Sequence, residues 1–146
     1  MGIIKDIYDV FKDGAILERH IESFREALMT EAELNRSYLI DIEKNIEIDK
    51  DRMKTIIRNL KNKQLEEAVG FAIPYDLVCD KKVDSKILGK IQLKRIEGYD
   101  LKKMVKKLYL KIEFIKGERK NQKIDVLSRL QFICKYNIIL LRLLSE

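Results

Sequence analysis

The segment that most limits the possible folds is 122–144, which reads QKIDVLSRLQFICKYNIILLRLL. On a helical wheel its apolar side chains cover almost the whole circumference and leave one narrow polar seam. That seam contains Ser128, Gln131, Lys135 and Arg142. A helix that is apolar almost all round belongs in the interior of a structure. Because Lys135 and Arg142 interrupt the apolar run before the roughly 18 residues that a membrane span needs, we expect the central helix of a bundle.

Three further segments have one apolar face each, with apolar residues spaced three and four apart. They are 3–46, 49–70 and 100–116. Asp49 and Asp100 stand where N-caps are expected, and Gly70 is expected to end the second segment in a left-handed conformation. The sequence therefore predicts one all-α domain over 1–146. We expect a four- to five-helix bundle, mostly antiparallel, with the C-terminal helix, capped by Asn121, at its centre.

Two stretches leave alternatives open. Thr30-Glu31-Ala32-Glu33 has the form of a capping box, which would begin a new helix, but the continuous apolar rhythm favours a single helix across residue 29. The irregular connection 71–98 contains a candidate helical turn at Asp84–Leu88. Alternatively, Tyr75–Cys79 pairs as a strand with the weakly alternating residues around Ile91.

The charges are unevenly distributed along the chain. The net charge is +6, but residues 1–80 carry −5 and residues 81–146 carry +11. Such a division indicates either that the two halves neutralise each other within the fold or that the second half forms a basic surface for an acidic partner.

Residue patterns typical of enzymes are missing from the sequence. His20 is the single histidine, and Cys79 and Cys134 lack the spacing of a zinc site. There is no phosphate-binding glycine loop and no nucleophile elbow. We therefore expect a protein that is not an enzyme and has no metal or other cofactor. Two isolated cysteines and the lack of a signal peptide point to the cytoplasm.

The most informative surface is predicted on the outer side of helix 100–116, and we call it the basic face. Leu110 and Phe114 lie one turn apart there, surrounded by lysines, as in a contact site for a protein that is acidic and partly apolar. Sequence-independent binding of nucleic acid through the same lysines is the alternative, weakened by the few arginines on this helix. The basic face consists of Lys102, Lys103, Lys106, Lys107, Leu110, Lys111 and Phe114.

A second candidate contact is the amphipathic N-terminal segment 1–13, with an apolar stripe of Ile3, Ile7, Val10 and Phe11. If Gly14 acts as a hinge, this segment can leave its own bundle and pack on a second copy. If residue 14 instead lies within a continuous helix, that helix projects beyond the shorter ones and exposes its stripe to a neighbour. Both alternatives predict a homodimer. The acidic residues on its polar side argue against contact with anionic lipid.

Overall fold

The computed structural model describes residues 14–70, 74–117 and 125–145, and it contains α-helices, one 3₁₀ helix and no strand over these ranges. The prediction of an all-α fold is therefore confirmed. The apolar stripe Ile3, Ile7, Val10 and Phe11 lies outside the described residues, so its role in self-association stays a prediction. The helices are α1 Gly14–Tyr38, α2 Ile40–Glu43, α3 Lys50–Asn59, α4 Lys63–Gly70, α5 Tyr75–Val78, α6 Ser85–Leu88, the 3₁₀ helix Lys94–Ile96, α7 Leu101–Gly117 and α8 Val126–Leu144.

Helix α8 is the centre of the bundle, as predicted. It packs against α1, α2, α6 and α7. Lys111 approaches Tyr136 while Phe114 approaches Arg129, so α7 and α8 run antiparallel. Ten of its side chains are buried, from Leu130 to Leu144.

The start of α8 differs from the predicted one. The helix begins at Val126 and not at Gln122, because the side chain of Asp125 accepts a 3.0 Å hydrogen bond from the Ser128 backbone N–H. A carboxylate in this position satisfies one of the N–H groups that a helix leaves free at its first turn. The predicted N-cap Asn121 lies outside the described residues.

Helix α1 continues through residue 29, which confirms the preferred alternative. The capping-box sequence does not begin a helix, because Glu31 and Ala32 are buried in the middle of α1. The helical path is broken at Leu39, and α2 then ends in a turn where Asn45 has a φ of 57°. Asparagine tolerates this left-handed conformation better than most residues do.

The segment 49–70 forms two helices where the sequence predicted one. Asp49 caps α3 as expected, but Leu60 adopts an extended backbone with ψ 133° and separates α3 from α4. Two side chains of α1 stabilise this break by hydrogen bonds to its backbone. Asn35 accepts from the backbone N–H of Lys61 (2.7 Å) and donates to its carbonyl (2.8 Å). Glu31 accepts from the N–H groups of Gln64 and Leu65 at the start of α4.

The connection 71–98 contains helical turns rather than the alternative strand pair. Tyr75–Val78 is α5, and Asp84 caps α6 through the N–H of Ile87 as the helical alternative required. Gly98, with φ +93°, bends the chain so that its N–H reaches the carbonyl of Val83. Gly70 remains helical without a positive φ, so the expected left-handed C-terminal glycine is wrong at that position.

Candidate docking surface on helices α7 and α8

The basic face of helix α7 points to solvent because the apolar side chains on its other side are buried in the core. Asp100 caps the helix by accepting from the Lys103 N–H at 2.9 Å. The side chains of Leu101, Met104, Val105, Leu108, Ile112 and Ile115 are all buried, as their spacing predicts. The opposite side therefore faces solvent, and there Leu110 and Phe114 stay 49% and 46% exposed. The lysines Lys102, Lys103, Lys106 and Lys107 are exposed around them.

Lys111 does not lie on this outer face, which corrects the prediction for that residue. It is half-buried, and its Nζ lies 4.8 Å from the ring centroid of Tyr136 and 5.6 Å from that of Phe132. Lys102 is nine positions away, which places the two lysines on opposite sides of the helix. Lys111 therefore belongs to the flank of α7 that packs on α8.

Other cations gather on the same flank from segments that are distant in sequence. The guanidinium of Arg95 lies 5.2 Å from the centroid of Phe132, and the Nζ of Lys135 lies 5.8 Å from it. The guanidinium of Arg129 lies 4.3 Å from the ring centroid of Phe114. We call Arg95, Lys111, Arg129 and Lys135 the cation cluster. Four of these surface residues were not predicted from the sequence, since only the packing of α7, α8 and the 3₁₀ helix brings them together. They are Arg95, Arg129, Phe132 and Lys135.

Aromatic rings position these cations but do not neutralise them. Each contact between a cation and a ring contributes about 0.5–1 kcal/mol at an exposed site. The pKa of Lys111 is lowered, first because the ammonium is partly removed from water and then because Arg95, Arg129 and Lys107 lie nearby. The cluster is therefore a place where positive charges repel each other.

Described carboxylates do not relieve this repulsion by direct pairing. None of them lies within 4.0 Å of a cation of the basic face or the cation cluster. Three acidic residues close to these cations in sequence have other hydrogen bonds: Asp100 and Asp125 cap helices, and Glu113 accepts from the side chain of Asn62.

Ion pairs in the described ranges all lie within residues 1–80. They are Arg25–Glu22 at 3.0 Å, Arg36–Glu43 at 2.9 Å and Arg52–Asp41 at 3.4 Å. No salt bridge among the described residues joins the acidic first half to the basic second half. Over the described ranges, the charge division in the sequence is therefore not matched by ion pairs between the two halves.

Two other basic residues of the second half bind backbone carbonyls at helix ends. Lys116 donates to the carbonyls of Ile57 and Arg58 at the end of α3. Arg142 donates to the carbonyls of Ile87 and Leu88 at the end of α6. Cations suit helix C-termini, where the last carbonyls have no partner within the helix. Lys116 and Arg142 therefore stabilise helix ends, whereas the cations of the basic face and the cation cluster have no described carboxylate partner.

A cleft of about 630 Å³ lies on another side of the molecule, between α1 and the α3–α4 break. Its lining includes Glu31 and Lys116, whose charged groups already bind backbone N–H and carbonyl groups. Burial raises the pKa of Glu31 and lowers that of Lys116. We therefore assign these two side chains a structural role at the helix ends.

No protein-family model, curated protein or solved structure matches this chain.

Sequence features considered for catalysis or metal binding are scattered over the fold. His20 is half-buried on α1, and Cys134 is buried in α8, where burial raises its pKa to about 11. Cys79 is half-buried near Leu143, with its Sγ 3.3 Å from the carbonyl oxygen. Over the described ranges, no three His, Cys, Asp or Glu side chains meet in a metal-binding arrangement. None of the helices there is long and apolar enough to cross a membrane.

Proposed function

We propose that this protein is a non-enzymatic interaction protein that docks an acidic, partly apolar protein partner. The docking surface is the basic face of α7 together with the cation cluster. The observation that carries the proposal is the concentration of cations without a described carboxylate partner around the half-exposed side chains of Leu110 and Phe114. Acidic groups of a partner would remove the mutual repulsion of these cations.

The apolar pair supports a protein as the partner. Leu110 and Phe114 lie half-exposed among the lysines, and an apolar centre with a charged rim is the usual anatomy of a protein interface. The aromatic rings of the surface already contact cations of this chain. Rings occupied in this way are poor platforms for the base stacking that binds single-stranded nucleic acid.

Double-stranded nucleic acid is a second candidate, because the structure adds two arginines to the surface. Arg95 and Arg129 bring guanidinium groups next to the lysines of α7, and arginine binds phosphate in a two-pronged geometry. Such binding would be sequence-independent and strongly dependent on salt.

The test compares a labelled acidic peptide that contains two leucines with a generic 20-base-pair duplex, by fluorescence anisotropy at several salt concentrations. We expect the peptide to bind more tightly. The double variant Lys103→Glu/Lys107→Glu should weaken peptide binding about tenfold or more, since two attractive charges become repulsive. The control Lys82→Glu/Lys86→Glu changes the net charge equally at two exposed lysines outside the surface. It should weaken binding less than about twofold.

Equal losses in both double variants would mean that net charge alone attracts the peptide, and the proposed surface would be wrong. Tighter binding of the duplex, with a slope near 0.9 log units per log salt for each phosphate contacted, would replace the protein partner by nucleic acid.

A further inference from the structure

The cation cluster differs from the rest of the basic surface in how closely its charges converge. Arg95, Lys111 and Lys135 place their charges 5.2, 5.6 and 5.8 Å from the centroid of one ring, that of Phe132. Any two charges that lie this close to one centroid are less than about 12 Å apart, which is comparable to the screening length of roughly 10 Å at 0.1 M salt. In contrast, Lys102 and Lys106 project along an exposed helix side without such convergence.

Arg129 brings a fourth positive charge close to Lys111. Its guanidinium lies on Phe114, and its charge contributes to lowering the pKa of Lys111 after burial and Arg95. Three of the four charges thus lie around the ring of Phe132, and the fourth, Arg129, lies near Lys111, at the junction of α7, α8 and the 3₁₀ helix Lys94–Ile96. Their positions are supported by ring contacts, so the charges are held in place before a ligand arrives.

We propose that the cation cluster is a subsite for a phosphorylated serine or threonine of the acidic partner. A phosphate monoester carries nearly two negative charges and three strong acceptor oxygens on one phosphorus, whereas a carboxylate carries a single charge. Several converging donors therefore match a phosphate better than they match glutamate or aspartate. The subsite rests on the proposed docking function and specifies the partner's chemistry.

The neighbouring basic face completes the recognition of such a segment. Lys103 and Lys107 lie on the side of α7 closer to the cluster and are available for carboxylates that flank the phosphate. Leu110 and Phe114 would contact an apolar residue near it. The expected ligand is thus a short acidic segment with a phosphorylated side chain and a nearby apolar residue.

The experiment uses three labelled peptides of one acidic sequence, with phosphoserine, glutamate or serine at the central position, and the full-length protein. We expect the phosphoserine peptide to bind about tenfold more tightly than the glutamate peptide at 150 mM salt. Its affinity should rise between pH 5.5 and pH 7.5, because the phosphate loses its second proton near pH 6. Binding of the glutamate peptide should stay nearly constant over this range.

Lys111→Gln and Arg129→Gln should each reduce the preference for phosphoserine to about twofold or less, while Lys102→Gln should preserve it. Lys102 is the matched control because it lies on the same helix on the opposite side. Thermal melting checks that each variant is folded, and because the two cluster variants lie on different helices, a folding defect in one leaves the other as a test.

Equal affinity for the phosphoserine and glutamate peptides would overturn the subsite and leave the proposed docking of acidic partners intact. Failure of all three peptides to bind would overturn both. Tighter binding of the generic 20-base-pair duplex than of the phosphoserine peptide would show that the cluster binds backbone phosphates of nucleic acid instead.

Discussion

The two halves of the chain use their charged residues differently. In the first half, charged side chains hold the backbone together: Glu31 binds the start of α4, and the guanidinium of Arg36 binds both oxygens of Glu43 at 2.9 Å across the break between α1 and α2. In the second half, most exposed cations of α7 contact neither a described carboxylate nor a backbone carbonyl.

This difference separates charges that stabilise the fold from charges that are available for binding. A buried carboxylate with two N–H donors cannot be removed without leaving those donors unpaired. An exposed lysine surrounded by other lysines is removed at little cost, and removal even relieves repulsion. The comparison therefore predicts opposite effects on stability when charges are deleted in the two halves.

The largest effect is expected for Glu31→Ala. This substitution leaves the N–H groups of Gln64 and Leu65, now bonded at 2.9 and 3.1 Å, without their acceptor. We expect the free energy of unfolding to fall by about 1–3 kcal/mol, measured by urea denaturation. Glu33→Ala, at an exposed position on the same helix, is the control and should change stability by less than about 0.5 kcal/mol. Similar small changes in both variants would mean that water replaces the carboxylate of Glu31 without loss.

A smaller effect is expected for Glu43→Gln, which breaks the pair with Arg36. The pair is partly exposed, so the expected loss is about 0.2–1 kcal/mol at pH 7. The hydrogen bonds from Arg36 lower the pKa of Glu43, so the folded state favours the ionised form. The pair therefore stabilises the fold above the pKa of an unfolded glutamate, near 4.3, and this contribution disappears as the pH falls through the lower folded value.

The measurement is urea unfolding of the wild type and Glu43→Gln between pH 7 and pH 2.5. Their difference should shrink towards zero at the acidic end, and added salt should shrink it at pH 7 as well. A difference that persists at pH 2.5 would assign the loss to the shape of the side chain and not to its charge.

The predictable parts of the fold are those that depend on residues three or four positions apart in the sequence. The buried stripe of α7 follows from helical spacing alone, because residues three and four apart share one side of a helix. The N-caps Asp49 and Asp100 were likewise identifiable, since the capping carboxylate binds a backbone N–H only three residues ahead.

The break between α3 and α4 was not predictable for the opposite reason. The side chains of Asn35 and Glu31 stabilise the break by binding its backbone N–H groups. Both residues lie on α1, which contacts the break only in the folded structure. The sequence around a polar residue in the middle of a helix does not indicate whether its side chain faces solvent or the end of a neighbouring helix. Asn137, buried in α8 and donating to the carbonyl of Ala32 at 2.7 Å, illustrates the same difficulty.

The candidate surface was predictable in part. Four lysines with Leu110 and Phe114 were placed on the exposed side of α7 from spacing alone, and they lie there. The position of Lys111 depends on which flank of α7 meets α8, and the approach of Arg95 depends on the path of residues 89–96. Neither of these two positions can be predicted from the spacing of apolar residues within a single helix.

The smallest effect on stability is expected for Lys111→Gln, and at low salt its sign should differ from that of Glu43→Gln. The substitution removes contacts with the rings of Phe132 and Tyr136, but it also removes repulsion from Arg95 and Arg129. These contributions oppose each other, so we expect a net change within about 0.5 kcal/mol. At 20 mM salt the repulsion is strongest and the variant should be at least as stable as the wild type. At 500 mM salt the repulsion is screened, and the lost ring contacts should make the variant slightly less stable.

Urea unfolding at both salt concentrations measures this change, with Lys102→Gln as the control that should respond less. If Lys111→Gln is instead less stable than the wild type at low salt and recovers at high salt, Lys111 takes part in an attractive ion pair, and the difference between the two halves of the chain does not extend to the cation cluster.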